Sequence, residues 1–176
     1  MKRERTSISG AFVIVPEPQV DERGSFARLW CRREFAAWGL TAEWAQISAS
    51  QNRQVGTLRG MHYQAAPHAE IKLVRCTQGA IWDVLVDLRP DSSSFRRWHG
   101  VELSAVNRRA LYVPAGVAHG FQVLQPDSEV LYHISEFYSA EASRGVRWDD
   151  PAFGIHWPLP APILSPRDAA HPDFTP

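Results

Sequence analysis

The chain has 176 residues, 44% of them hydrophobic and 22% charged, which suits one domain over 1–176 with a sizeable core. Nineteen basic residues balance nineteen acidic ones. That balance argues against broad capture of nucleic acid or an anionic membrane, while leaving room for a small anion site built from a few arginines. The opening MKRERTSISGAF lacks the apolar stretch of a signal peptide, and no segment approaches the ~18 apolar residues of a membrane span. Cys31 and Cys76 stand far apart in no metal-type spacing. They read as small core residues of a cytoplasmic protein.

In chain order, β-like runs cover 11–15 and 25–30, followed by one helix over 32–38 that Gly39 ends in a C′ position. Further β-like runs follow at 42–48, 57–64, 71–76, 79–88, 100–104, 110–113, 120–124 and 129–136. A short turn is expected near 139–143, and an irregular, proline-rich stretch follows Pro151. Within 79–88 the run GAIWDVLVDL alternates, placing Ile81, Asp83, Leu85 and Asp87 on one face. Polar and apolar residues mixed on one face suit a strand that lines a pocket. Many short strands closing on themselves predict an all-β sandwich or jelly-roll barrel with a few short peripheral helices. The seven tryptophans read as core aromatics that each bury a large area.

Three clusters carry residues suited to chemistry. The first is GTLRGMHYQAAPHAE, 56–70, where Arg59 and His62 stand beside two glycines. A partly desolvated His62 facing a barrel interior is a natural base near neutral pH. Spacing alone does not separate that role from a histidine bonded to a backbone carbonyl. The second is VPAGVAHGF, 113–121, in which Pro114, Gly116 and His119 have the spacing of the second cupin signature. The first cupin signature is broken, because His62 and His68 are six apart with Glu70 just beyond. The barrel is therefore supported, and a bound metal is not. The third comprises Lys72, Tyr132 and Tyr138, with Tyr132 on the same strand face as Val130 and Ile134. Near the end, Asp149, Asp150 and Asp168 read as turn formers or caps, and spacing cannot tell such an aspartate from one that orients a histidine.

Together the segments ERGSF, GTLRGMHYQ, IKLVRC, GAIWDVLVDLRP, LYVPAGVAHGF, GVRWDDPAFGIHWP and LSPRD resemble the dTDP-4-dehydrorhamnose 3,5-epimerase family of cupin-fold enzymes. The resemblance runs from about Phe12 to Asp168. It implies His62 as base, Asp168 as its carboxylate partner, Tyr132 as acid on the opposite face and Lys72 beside the enolate. It also implies that Arg23 and Arg59 line the substrate and its diphosphate. By the same resemblance Gln46 contacts the nucleotide, Tyr138 stacks on the base and His119 is a pocket histidine. Arg28 and Ser48 depart from the glutamate and asparagine that many members carry near the nucleotide.

The implied reaction is epimerisation at C3, C5 or both of a nucleoside-diphosphate 4-keto-6-deoxy sugar, in a homodimer whose subunits complete each other's nucleotide sites. A C4 ketone acidifies the neighbouring hydrogens, so a base, an oxyanion partner and a proton donor suffice. No cofactor is expected, in keeping with the absence of a Gly-rich dinucleotide motif. Two rivals share the fold. One is a metal-dependent cupin isomerase or dioxygenase using His62, His68, Glu70 and His119; the other is a non-catalytic cupin that binds a sugar nucleotide.

Overall fold

A computed structural model describes residues 1–41 and 43–175. Two antiparallel sheets face each other, with strands numbered in chain order. The six-stranded sheet runs β1 (Lys2–Arg5), β2 (Phe12–Val15), β10 (Ala110–Val113), β7 (Lys72–Gln78), β12 (Ser128–Ile134), β5 (Gln46–Asn52). The five-stranded sheet runs β13 (Ser143–Gly145), β6 (Leu58–Gln64), β11 (Val117–Val123), β8 (Ala80–Asp87), β9 (Trp98–Ser104). A separate hairpin pairs β3 (Gln19–Asp21) with β4 (Gly24–Phe26). Two short helices, α1 (Arg32–Ala37) and α2 (Pro166–Ala169), lie outside the sheets. This is the expected all-β jelly roll of cupin type.

Strand alternation sorts the apolar residues into layers. Val13, Val74, Leu111 and Val130 of one sheet meet Ile81, Leu85, Leu103 and Phe121 of the other to form the inter-sheet core. Each such burial contributes about 1.5–3 kcal/mol. On β8 the next residues over, Val84 and Val86, point the other way and pack under the C-terminal segment through Val146, Phe153 and Trp157. The outer face of the six-stranded sheet is covered by α1, whose Phe35 is fully buried among Trp30, Trp38 and Tyr112. Gly39 follows that helix at φ +71, as its C′ position requires. Cys76 lies in the inter-sheet core, where burial pushes its thiol up to about 11.

The two sheets part beyond this core, and polar residues replace apolar ones on the facing strands. On β7 the inward series Lys72, Val74, Cys76 passes from polar to apolar along one face. On β12 Tyr132 and Ile134 line the opening while Val130 seals its floor.

Several boundaries differ from those read in sequence. The run at 42–48 is the strand Gln46–Asn52, and Ala42, where it was expected to begin, lies outside the described residues. The run at 25–30 is only the Gly24–Phe26 arm of the hairpin. The turn expected near 139–143 is present and leads directly into β13, which pairs with β6. Among the described residues, no helix is long and apolar enough to cross a membrane.

Candidate active site

A cavity of about 410 Å³ lies between the sheets. Arg59, His62 and His119 reach it from the five-stranded sheet; Gln46, Ser48, Lys72 and Tyr132 reach it from the six-stranded one. Arg59 and His62 are three apart, so strict strand alternation would send them to opposite faces. A register shift resolves this: His119 pairs with His62 but Phe121 pairs with Arg59, setting two steps on β11 against three on β6. The extra residue on β6 returns both side chains to the cavity. Glycine permits the close approach this needs, since a Cβ on Gly60 would stand 2.5 Å from the Gly120 Cα. Gly60 also has φ +132, a conformation that other residues rarely adopt.

His62 Nε2 donates to Asp168 Oδ1 over 2.7 Å. The acceptor is a carboxylate, so the imidazole proton sits on Nε2 and Nδ1 carries the free lone pair. Asp168 is held by α2, whose start is set by Ser165 as N-cap, its Oγ accepting from the Asp168 N–H at 3.1 Å, with proline next. The Gly60 N–H donates to Asp168 Oδ2 at 3.4 Å. Burial works against the Asp168 charge, yet these bonds, led by that from His62, outweigh it and hold its pKa below the usual carboxylate value. The pair is therefore an oriented imidazole on an ionised carboxylate, with the His62 side chain 38% exposed to the cavity.

A second histidine–aspartate pair stands deeper. His119 Nε2 and Asp83 Oδ1 are 2.6 Å apart, with both side chains buried. Desolvation raises the Asp83 pKa against the attraction of His119 and Lys72. The His119 ring meets Tyr132 edge to face at 5.9 Å. Burial, reinforced by the charge of Asp83, drives the Tyr132 phenol well above its ordinary pKa, so its hydroxyl keeps its proton. Lys72 Nζ pairs with Glu70 at 2.8 Å and approaches the His62 carbonyl at 3.5 Å.

The structure thus gathers eight of the nine expected residues around one cavity: His62, Lys72, Tyr132, Asp168, Gln46, Arg59, His119 and Tyr138. Arg23 is not among them. It sits on the β3–β4 hairpin, 85% exposed and paired with Asp21 at 2.6 Å. Arg28 likewise lies outside the cavity lining, paired with Glu34. The metal set His62, His68, Glu70 and His119 does not assemble among the described residues, where Glu70 is engaged by Lys72 and His119 by Asp83.

Sequence reasoning assigned no role to four residues that shape the site. Alternation put Asp83 on one face with Ile81 and Leu85, yet a carboxylate there gave no sign of its partner. Asn52 Oδ1 accepts from Arg59 Nε at 2.7 Å and aims the guanidinium. Gln64 ties down the loop before β13, accepting from the Ser139 N–H at 2.7 Å and donating to the Phe137 carbonyl at 3.2 Å. That fixes the backbone on both sides of Tyr138. Arg167 reaches the rim and donates to Ser143 Oγ at 2.8 Å.

The model of the dTDP-4-dehydrorhamnose 3,5-epimerase family matches residues 5–175. The chain belongs to that family. The dTDP-4-dehydrorhamnose 3,5-epimerase of Sinorhizobium fredii is 43% identical over 173 residues, covering 96% of this chain and 87% of that protein. The crystal structure of the Bacillus anthracis enzyme, with TDP and PPi bound, superposes with a TM-score of 0.95 at 41% identity, covering 98% of this chain and 99% of that one. A 3'-monoepimerase from Streptomyces bikiniensis in complex with dTDP-quinovose gives 0.88 at 34% identity, over 95% of this chain and 85% of its own. Solved structures close to this chain in fold therefore carry names that differ in the number of centres inverted.

Proposed function

We propose that this protein is an isomerase that epimerises C3, C5 or both of a nucleoside-diphosphate 4-keto-6-deoxyhexose, with dTDP as the favoured carrier, in deoxysugar biosynthesis. Membership of the epimerase family supports the reaction class. The observation that carries the chemistry is the His62–Asp168 pair opening on the same cavity as Lys72 and Tyr132.

The roles follow from which sheet each residue comes from. His62 belongs to the five-stranded sheet, and Tyr132 and Lys72 to the six-stranded one, so a sugar ring between the sheets meets a base on one face and a donor on the other. His62 Nδ1 removes the proton beside the C4 ketone, and its electron pair delocalises onto O4 as an enolate. Asp168 keeps the imidazole in the needed tautomer and stabilises the imidazolium that forms. The Lys72 ammonium offsets the charge growing on O4, a contribution typically worth about 3–4 kcal/mol. Tyr132 then gives its hydroxyl proton to carbon from the opposite face, completing inversion.

Arg59 and Arg167 at the cavity rim supply charge for the diphosphate, Gln46 contacts the nucleotide, and Tyr138 stacks on its base. His119, held by Asp83, forms part of the wall against the sugar. Arg23 serves the diphosphate of a second subunit. Its hairpin is detached from both sheets and carries exposed Val20 and Phe26, which suits insertion into a partner across a homodimer interface. Residues 1–176 act as one cytoplasmic epimerase domain.

The test is to incubate the protein in D2O with 4-keto-6-deoxyglucose carried on dTDP, CDP, GDP or UDP and follow C3 and C5 by NMR. Deuterium entering either carbon with inversion supports the reading. No exchange with any carrier would contradict it.

A further inference from the structure

Beside the His62–Asp168 pair lies a nitrogen that nothing above employs. His171, in the segment after α2, has its Nε2 buried without a hydrogen-bond partner, 4.0 Å from Asp168 Oδ1. Its ring meets the His62 ring edge to face at 6.1 Å. Room for it is made by Gly145, which faces His62 across the β13–β6 pairing; a Cβ there would fall 2.2 Å from His171 Nε2. Buried polar atoms are nearly always satisfied, so a lone nitrogen aimed at a carboxylate asks for a ligand.

One donor atom each from His62, Asp168 and His171 lie within 4.8 Å of one another. Two imidazole nitrogens and a carboxylate oxygen form a common three-ligand zinc set, leaving a fourth position for water. Bonds of about 2.0–2.1 Å in a tetrahedron place ligand atoms roughly 3.3 Å apart. The observed separations to Asp168 Oδ1, 2.7 Å from His62 Nε2 and 4.0 Å from His171 Nε2, bracket that value. The His62–His171 separation is bounded by 4.8 Å, so shifts of about 1.5 Å or less would close the site.

We propose that His62, Asp168 and His171 form a capture site for a divalent transition metal such as Zn²⁺, and that its occupation switches the enzyme off. The metal takes the place of the proton between His62 Nε2 and Asp168. A neutral imidazole bound through Nε2 carries its one N–H proton on Nδ1, the nitrogen that must be bare to accept a proton from substrate. No net proton is gained or lost, but the base is gone. The site uses none of His68, Glu70 and His119, so it differs from the metal set a cupin barrel would suggest. The inhibition rests on reading His62 as the base, whereas the binding rests on the three side chains alone.

Both limbs are read on tag-free protein. Binding is followed by the visible absorption of Co²⁺ and by calorimetry with Zn²⁺; inhibition is followed as epimerase rate against free Zn²⁺, each variant referred to its own metal-free rate. Expected are one ion per chain in low-coordinate geometry and loss of activity in step with occupancy. His171→Ala should weaken binding and inhibition together by at least about tenfold, the scale commanded even by outer partners of a metal site. Gly145→Ala should act in the same direction by displacing the ring without removing a ligand. No stoichiometric binding, or binding and inhibition unchanged in His171→Ala, would overturn the site. Stoichiometric binding lost in His171→Ala but without inhibition would overturn the switch and count against His62 as the base.

Discussion

Among the described residues two histidine–aspartate pairs are within hydrogen-bond distance and of nearly equal length, 2.7 Å for His62–Asp168 and 2.6 Å for His119–Asp83, in unlike surroundings. The first joins a strand to a capped helix turn, and its imidazole is 38% exposed to the cavity. The second bridges two neighbouring strands, β11 and β8, with both side chains buried. Surroundings rather than bond length separate them. Hydrogen bonds overcome burial at Asp168 and lower its pKa, whereas burial prevails at Asp83 and raises it. One pair opens on the cavity as the proposed base, and the other is a buried brace beside Tyr132.

The largest effect expected from this contrast is on proton exchange. Asp168→Asn should cut the rate of deuterium entry at C3 and C5 by about 10³-fold, within the range that a positioned base contributes, while Asp83→Asn should cut it far less. Equal losses in the two variants would erase the distinction. The order should reverse for stability in urea. Asp83→Asn leaves the buried His119 Nε2 without its carboxylate partner and should cost about 1–3 kcal/mol, against about 1 kcal/mol for Asp168→Asn. Tyr132→Phe, which removes the proposed donor beside the buried pair, should lower net inversion more than exchange at one carbon. Equal loss of both would argue against a separate acid.

How much of this was legible in the sequence differs between the same two pairs. Alternation put Asp83 on one face with Ile81 and Leu85, whereas His119 fell just outside the strand expected over 120–124 and lies within Val117–Val123. Their contact was not legible, because strand order is set by long-range pairing of β11 with β8 rather than by neighbours in sequence. Arg59 and His62 were legible only in part: their spacing of three hides a bulge that only the Gly60–Gly120 approach reveals. Asp168 lies in Ser165-Pro166-Arg167-Asp168, a helix start in hindsight, with an N-cap serine and proline next. Four helical residues carry too little periodicity to announce themselves, so the aspartate read as a turn former until the family resemblance singled it out. The β3–β4 hairpin was half visible, and no local pattern says that its arginine faces away from its own cavity.

A smaller effect tests the same electrostatic reasoning away from the site. At Asp87 burial opposes the charge, but hydrogen bonds from Arg89, Ser92 and Ser94 outweigh it and take its pKa to about 2. A carboxylate lowered from its ordinary value of 3.8 contributes stability that is full above that value and is lost as pH falls toward 2. Asp87→Asn should therefore unfold at a lower temperature than the parent at pH 7, with the gap narrowing as pH drops below about 4. A gap independent of pH would show that the hydrogen bonds, and not the charge, matter there.

The contrast between the two pairs rests on His62 as the base, and one measurement reaches that directly. His62→Ala, shown to be folded by its unfolding transition, is incubated in D2O with dTDP-4-keto-6-deoxyglucose, and C3 and C5 are followed by NMR beside the parent. The expected result is exchange at neither carbon on the timescale in which the parent completes it. Exchange at the parent's rate at either carbon would mean that another group removes the proton.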